Sequence, residues 1–164
     1  MKIKENKVAY KNLPKSHQLA IAHYMAIDGE AWKVDYEFEG GITKKGSIKS
    51  QLTKTLPLFV KKYGRCRFGI SEIPSEVLAE KIMNMEDIKK EFKSFMDYHK
   101  WYKKGGIPRH NNSNRWPCII DSTTDPIYNE VLEDGWHRFH RYIEAGHKTI
   151  PCISYLPKEN YKCA

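Results

Sequence analysis

The sequence predicts an α+β protein, a mixed sheet with packed helices and an N-terminal α/β extension. Three patterns lead there. Residues 32–39 alternate strictly between apolar and charged side chains. Residues 86–101 carry apolar side chains at helical spacing. Residues 116–155 read as strand, turn, strand, helix and strand in quick succession. With 164 residues the chain has room for one compact domain and an added subdomain. The division expected is a basic extension over residues 1–64 and a main domain over residues 65–164.

Taken in order, Leu13-Pro14-Lys15-Ser16 marks a helix entry, and Leu19, Ile21, Ala22 and Met25 give that helix an apolar face up to the turn at Asp28-Gly29. Over residues 32–39, Trp32, Val34, Tyr36 and Phe38 point one way and Lys33, Asp35, Glu37 and Glu39 the other. A period of two means a half-buried strand, which Gly40-Gly41 ends. A helix is expected over residues 50–63, with Pro57 kinking it or resetting its start, and a short strand over residues 65–70. Glu72-Ile73-Pro74-Ser75 leads into a helix with Val77, Leu78 and Ile82 inward. One long helix is expected over residues 86–101, because Ile88, Phe92, Phe95, Met96 and His99 fall at i, i+4, i+7, i+8 and i+11.

A long loop follows over residues 103–114, with Gly105-Gly106, Pro108 and Asn111-Asn112-Ser113-Asn114; a loop of that length is functional or mobile. Residues 116–121 read as a buried strand, 122–126 as a turn, and 127–133 as a returning strand broken by Asp134-Gly135. Residues 136–145 form a helix with Phe139 and Ile143 on one face, stopped at Gly146, and residues 149–155 are the closing strand.

Composition narrows the classes. Hydrophobic residues at 40% and charged residues at 29% are too apolar for a disordered chain and ordinary for a globular one. No run of about 18 apolar residues is present, so no transmembrane helix is expected. The charged start Met1-Lys2-Ile3-Lys4 has no apolar stretch behind it, so no secretory signal is expected either. Cys66, Cys118, Cys152 and Cys163 form no C-x-x-C pair, and three of them stand in strand-like contexts. Reduced thiols in a cytoplasmic protein, with no metal site, is the reading.

The net charge is +8, and its placement is uneven. Between residues 40 and 71 there is no Asp or Glu, but there are Lys44, Lys45, Lys49, Lys54, Lys61, Lys62, Arg65 and Arg67. Between residues 98 and 120 there is again no acid, but there are Lys100, Lys103, Lys104, Arg109 and Arg115. The rest of the chain is net acidic. Segregated charge attracts polyanions, so nucleic acid or a nucleoprotein is the partner expected, at Lys44, Lys45, Lys61, Lys62, Arg65, Arg67, Lys103, Lys104, Arg109 and Arg115. The plain alternative is a solvated face. Trp101-Tyr102 beside Lys103-Lys104, with Arg109 and His110, either contacts single-stranded nucleic acid or belongs to a solvated loop.

The segment that carries chemistry is Glu133-Asp134-Gly135-Trp136-His137-Arg138. A strand ends, a glycine permits a sharp turn, and a helix begins. The first turn of a helix presents unpaired N–H groups and the positive end of the dipole, which together favour phosphate. Arg138 adds a fork that is always charged, and His137 is a hydrogen-bond donor or an acid or base near neutral pH. Asp134 either orients His137 or holds a metal ion bound to a nucleotide. Trp136 either stacks on a base or covers the core. His137 and His140 stand at i, i+3, but nothing completes a recognised ligand pattern.

The order strand, Asp134-Gly135-Trp136-His137-Arg138, amphipathic helix, Gly146 and Ile150-Pro151-Cys152-Ile153 resembles the ParB/sulfiredoxin-like superfamily. The strand Trp116-Pro117-Cys118-Ile119-Ile120 and the segment Phe68-Gly69-Ile70-Ser71-Glu72-Ile73-Pro74-Ser75-Glu76 fit the same pattern, so the resemblance spans residues 65–156. It implies a nucleotide or phosphate site at Gly135, Trp136, His137 and Arg138, and a nucleoside triphosphate with Mg²⁺ as ligand. Members of the superfamily bind CTP or ATP, and some transfer phosphoryl groups. In a phosphoryl-transfer enzyme Asp134 and His137 would be the catalytic pair. A third reading is an interaction protein on a degenerate version of the fold, with a protein partner. Trp136 stands where sulfiredoxins have their cysteine, and Gly-Trp-His-Arg replaces the Gly-Glu-Arg-Arg type of segment of partitioning proteins. Neither of those two activities is therefore expected.

Overall fold

Among the described residues, five short strands make one mixed sheet in the order β1-β2-β5-β3-β4. The computed structural model describes residues 6–27, 56–57, 60–61, 63–105, 116–121 and 131–155. The strand expected over residues 32–39 lies outside them, as do the turn at 122–126 and most of the loop after residue 105. The described elements are β1 (Asn6–Ala9), a 3-10 turn (Tyr10–Asn12), α1 (Lys15–Ile27), β2 (Arg67–Pro74), α2 (Ser75–Met83), α3 (Glu86–Glu91), α4 (Phe95–Lys104), β3 (Cys118–Asp121), β4 (Leu132–Asp134), α5 (Trp136–Glu144) and β5 (Thr149–Tyr155). Residues 56–57, 60–61 and 63 are helical, within the helix expected over 50–63.

Strand β5 is central. It pairs antiparallel with β2, from Gly69 opposite Ser154 to Pro74 opposite Thr149, and parallel with β3, with Cys118 opposite Cys152. Successive side chains on a strand face opposite ways, and here both faces are covered. Phe68, Ile119 and Ile153 pack with Tyr10, Leu19, Ile21 and Trp116 on the side of α1. Ile73, Cys118, Ile150 and Cys152 pack with Leu78, Ile82, Tyr98 and Phe139 on the side of α2, α4 and α5. Burial on both faces explains why Cys118-Ile119-Ile120 reads as an unbroken apolar run instead of an alternating one. The described part of residues 1–64 belongs to this same sheet and core: β1 is the outermost of the described strands, paired with β2 from Asn6 opposite Ile70 to Ala9 opposite Arg67.

Some expectations need correction. The single helix of residues 86–101 is two helices. Phe92 is extended (φ −125°, ψ 139°), and Ser94 caps a new helix by accepting a hydrogen bond from the Asp97 N–H at 3.2 Å. A local serine cap thus interrupts an apolar repeat that runs straight through the break. The second helix is rotated relative to the repeat, so His99 is buried while Met96 is 51% exposed. That helix also runs on to Lys104, where the loop was expected. Strand β2 extends to Pro74 because β5 is long enough to pair with it that far. Cysteine pairing also differs. Cys118 and Cys152 are free, buried thiols as expected, but Cys66 is disulfide-bonded, to a partner outside the described residues. No helix among the described residues is long and apolar enough to cross a membrane.

Phe139 is fully buried where α5 meets the sheet and α4. Phe139→Ala should lower stability by about 3–5 kcal/mol, whereas Met96→Ala should stay within about 0.5 kcal/mol of the parent. Urea unfolding of both variants checks this; equal effects would contradict the packing described.

Candidate functional site

Strand β4 ends at Asp134, and Gly135 turns the chain into α5 with φ +95° and ψ 23°. Side chains rarely adopt that conformation. Space is short too: a Cβ at 135 would lie 3.0 Å from Arg138 Nη2 and 3.2 Å from the Cys118 Cα, so these neighbours would have to give by a few tenths of an ångström. The helix begins with the Phe139 N–H donating to the Gly135 carbonyl at 2.8 Å. The amides of Trp136, His137 and Arg138 precede that bond and have no acceptor inside the helix, and glycine has no side chain to cap them. At the far end of α5, Gly146 (φ +77°) receives the chain; its N–H donates to Ile143 and that of His147 to Tyr142. This is the glycine stop expected from sequence.

Arg138 folds back along this turn. Its Nη2 donates to Asp134 Oδ2 at 3.4 Å, its Cζ lies 5.7 Å from the centre of the Trp116 ring, and the residue is only 7% exposed. Its Nε is buried with no hydrogen-bond partner. Arg141, one turn further along, is half-buried; burial pulls its pKa down, and the charge of Arg138 adds to that shift. Beneath the turn, the Cys118 thiol contacts the Gly135 carbonyl at 3.6 Å, and burial pushes its pKa up to about 12 against the opposing effect of Arg138. Cys118 is therefore a neutral packing residue.

A second cluster joins α4 to α5. His99 Nδ1 and His140 Nδ1 are 2.8 Å apart, and both residues are buried. Only one proton fits between those two nitrogens. His99 Nε2 donates to Glu144 Oε2 at 2.9 Å, and Lys103 pairs with the other oxygen of Glu144. His140 Nε2 is buried without a hydrogen-bond partner. The Tyr102 ring stacks on His140 with centroids 3.7 Å apart, and its hydroxyl lies 2.8 Å from His137 Nδ1. Tyr102 therefore links the buried histidine pair to the exposed histidine of the α5 turn.

Asp134, Gly135, Trp136, His137 and Arg138 thus occupy one turn, as the contiguous segment requires. Asp134 is engaged by Arg138, His137 touches Tyr102, and Trp136 is half-buried against the core beside Phe139. The two histidines at i, i+3 do not act together: His137 is exposed and His140 is buried. Among the basic residues expected to meet nucleic acid, Lys61, Arg65, Arg67, Lys103 and Lys104 are exposed, and Lys103 is held by Glu144. Lys44, Lys45, Lys62, Arg109 and Arg115 lie outside the described residues. Sequence reasoning missed His99, Tyr102, Arg141 and Glu144 as members of the site. A histidine inside the apolar repeat of α4 was the available signal, since buried histidine needs a polar partner. Among the described residues no group of three His, Cys, Asp or Glu side chains is arranged to hold a metal ion.

The fold and this turn define an α+β protein whose helix start carries a buried, partly unpartnered arginine. Comparison with family models, with curated proteins and with solved structures finds no match to this chain.

Burial lowers the His140 pKa to about 3, with further lowering by His99 and His137. The unfolded chain therefore binds a proton at this residue that the folded chain refuses. Stability from this group is complete above the unfolded value of about 6.5 and is lost as pH falls toward 3. Between pH 6 and 4.5 the loss should be about 1.4 kcal/mol per pH unit. His140→Asn keeps a hydrogen-bonding atom near the Nδ1 position and removes the titration, so its stability should fall less steeply by about one proton. Urea unfolding at several pH values measures the slope, and an unchanged slope would refute the assignment.

Proposed function

We propose that this chain is a phosphate- or nucleotide-binding module of the ParB/sulfiredoxin-like kind that associates with nucleic acid or a nucleoprotein. The observation that carries the reading is the Arg138 guanidinium, folded back to the amide end of α5 with Nε buried and unpartnered. A buried charged donor left unpaired costs about 1–3 kcal/mol or more. A phosphate held at the helix start by the amides of residues 136 and 138 satisfies that donor once the guanidinium swings out from under Gly135, and Arg141 adds charge from the next turn. The α+β class and the glycine turn agree with the resemblance seen in the sequence.

The donor set fits a phosphate better than it fits a protein-held metal. Asp134 is the carboxylate in this turn, and it already holds Arg138. Any Mg²⁺ is therefore held chiefly by the nucleotide. The same contact favours binding over phosphoryl transfer, because a carboxylate occupied in fixing a guanidinium is a poor base.

A thermal-shift series with nucleoside triphosphates and Mg²⁺ tests the reading. A ligand present at about a hundred times its Kd should raise Tm by about 5–10 °C. Arg138→Ala should abolish the shift, and Arg141→Gln should reduce it while the core stays intact. Gly135→Ala should weaken binding as well, because its Cβ would press on the guanidinium. No shift with any nucleotide, or a full shift in Arg138→Ala, would overturn the proposal.

A further inference from the structure

Helix α4 presents Trp101 to solvent at 56% exposure, and nothing in the α5 turn uses it. The indole is firmly backed. It stacks on Tyr98 with centroids 6.2 Å apart and planes 25° from parallel, and it packs on Phe92 at 5.4 Å. Tyr98 is itself buried in the core. Trp101 is therefore a fixed aromatic plate with an open side. Lys100 and Lys104, four residues apart, lie one above the other along one flank of it in the helix, both exposed and, among the described residues, in no ion pair, whereas Lys103 is taken by Glu144. The acid within α4 is Asp97, one turn back. Beyond it no acid occurs from residue 98 to residue 120.

A flat ring with a row of two cations along one flank matches a ligand that joins a flat face to a line of negative charge. A nucleobase beside the phosphate backbone of its own strand has that form. In a duplex the base faces are hidden, so only an unpaired strand can offer one. We propose that this face of α4 binds single-stranded nucleic acid, stacking a base on Trp101 while Lys100 and Lys104 hold the neighbouring phosphates. The inference rests on the nucleic-acid part of the proposed function and gives it a surface. It uses no residue of the α5 turn, so either can fail alone.

The test is fluorescence anisotropy of the whole chain with a labelled oligothymidylate of about ten nucleotides, a length in the range one stacking surface covers, and with a duplex of equal length. The single strand should bind more tightly than the duplex. Trp101→Leu, which keeps apolar packing on Tyr98 but has no π face, should weaken single-strand binding about five- to hundredfold. Trp101→Phe should restore much of the loss, which separates stacking from any damage to the helix. The double variant Lys100→Gln, Lys104→Gln should lower the slope of log affinity against log salt by about 1.4. Trp101→Leu should still show the nucleotide-induced thermal shift of the parent. Equal binding by Trp101→Leu and parent would overturn the inference, as would duplex binding as tight as single-strand binding. Loss of oligothymidylate binding in a folded Arg138→Ala variant, with Trp101→Leu unaffected, would place the strand at the α5 turn and overturn it too.

Discussion

The backbone contact between Gly135 and Cys118 fixes most of what this protein presents. Strand β4 lies beside β3, and the chain must leave β4 and enter α5 while passing 3.2 Å from the Cys118 Cα, measured from where a side chain at 135 would start. Glycine, with no Cβ and ready access to positive φ, completes that passage without strain. Once it is complete, the direction of α5 is set. Phe139 enters the core, the Tyr142 hydroxyl reaches the Trp116 carbonyl at 2.8 Å, and Arg138 is left alongside the turn with Asp134 behind it. A bulkier turn would move the helix start, the arginine and the core together.

The second constraint is the burial of groups that prefer water. Arg138 and the pair His99–His140 sit among apolar and aromatic side chains, where a charge is costly unless it is matched. The histidine pair meets part of the cost by sharing one proton and by passing the outer N–H of His99 to Glu144, which Lys103 steadies at the surface, while His140 Nε2 stays unmatched. The hydrogen bonds to Lys103 and His99 hold the Glu144 carboxyl below its ordinary pKa, so it stays charged for this task. Arg138 is matched on one side only. An aromatic stack of Phe95, His99, His140 and Tyr102 then binds α4 to α5 over their shared length. Polar and aromatic contacts, with little aliphatic packing, therefore decide how these two helices sit.

Much of the architecture was legible in the chain because local rules suffice for it. The closing strand at residues 149–155, the helix beginning at Trp136 and its stop at Gly146 come from β-branched runs, a strand–glycine break and a glycine with no competing signal. The break between α3 and α4 was not legible. The apolar period continues through Phe92 and Phe95, and only the Ser94 cap, a single hydrogen bond, separates the two helices. The disulfide at Cys66 was not legible either, because a thiol in a strand-like context looks the same whether or not a distant partner reaches it.

The same division applies to the site. Asp134, Gly135, Trp136, His137 and Arg138 are neighbours in sequence, so their meeting in one turn required only the strand–glycine–helix pattern. His99 and Tyr102 come from α4, some forty residues earlier, and reach His140 and His137 through packing of the two helices. Side-chain identity in sequence fixes which groups can donate, accept or carry charge. Whether a given guanidinium faces water or is sealed against Trp116 with one nitrogen unmatched depends on how distant segments share volume, and that is decided only when the sheet and its helices close around it.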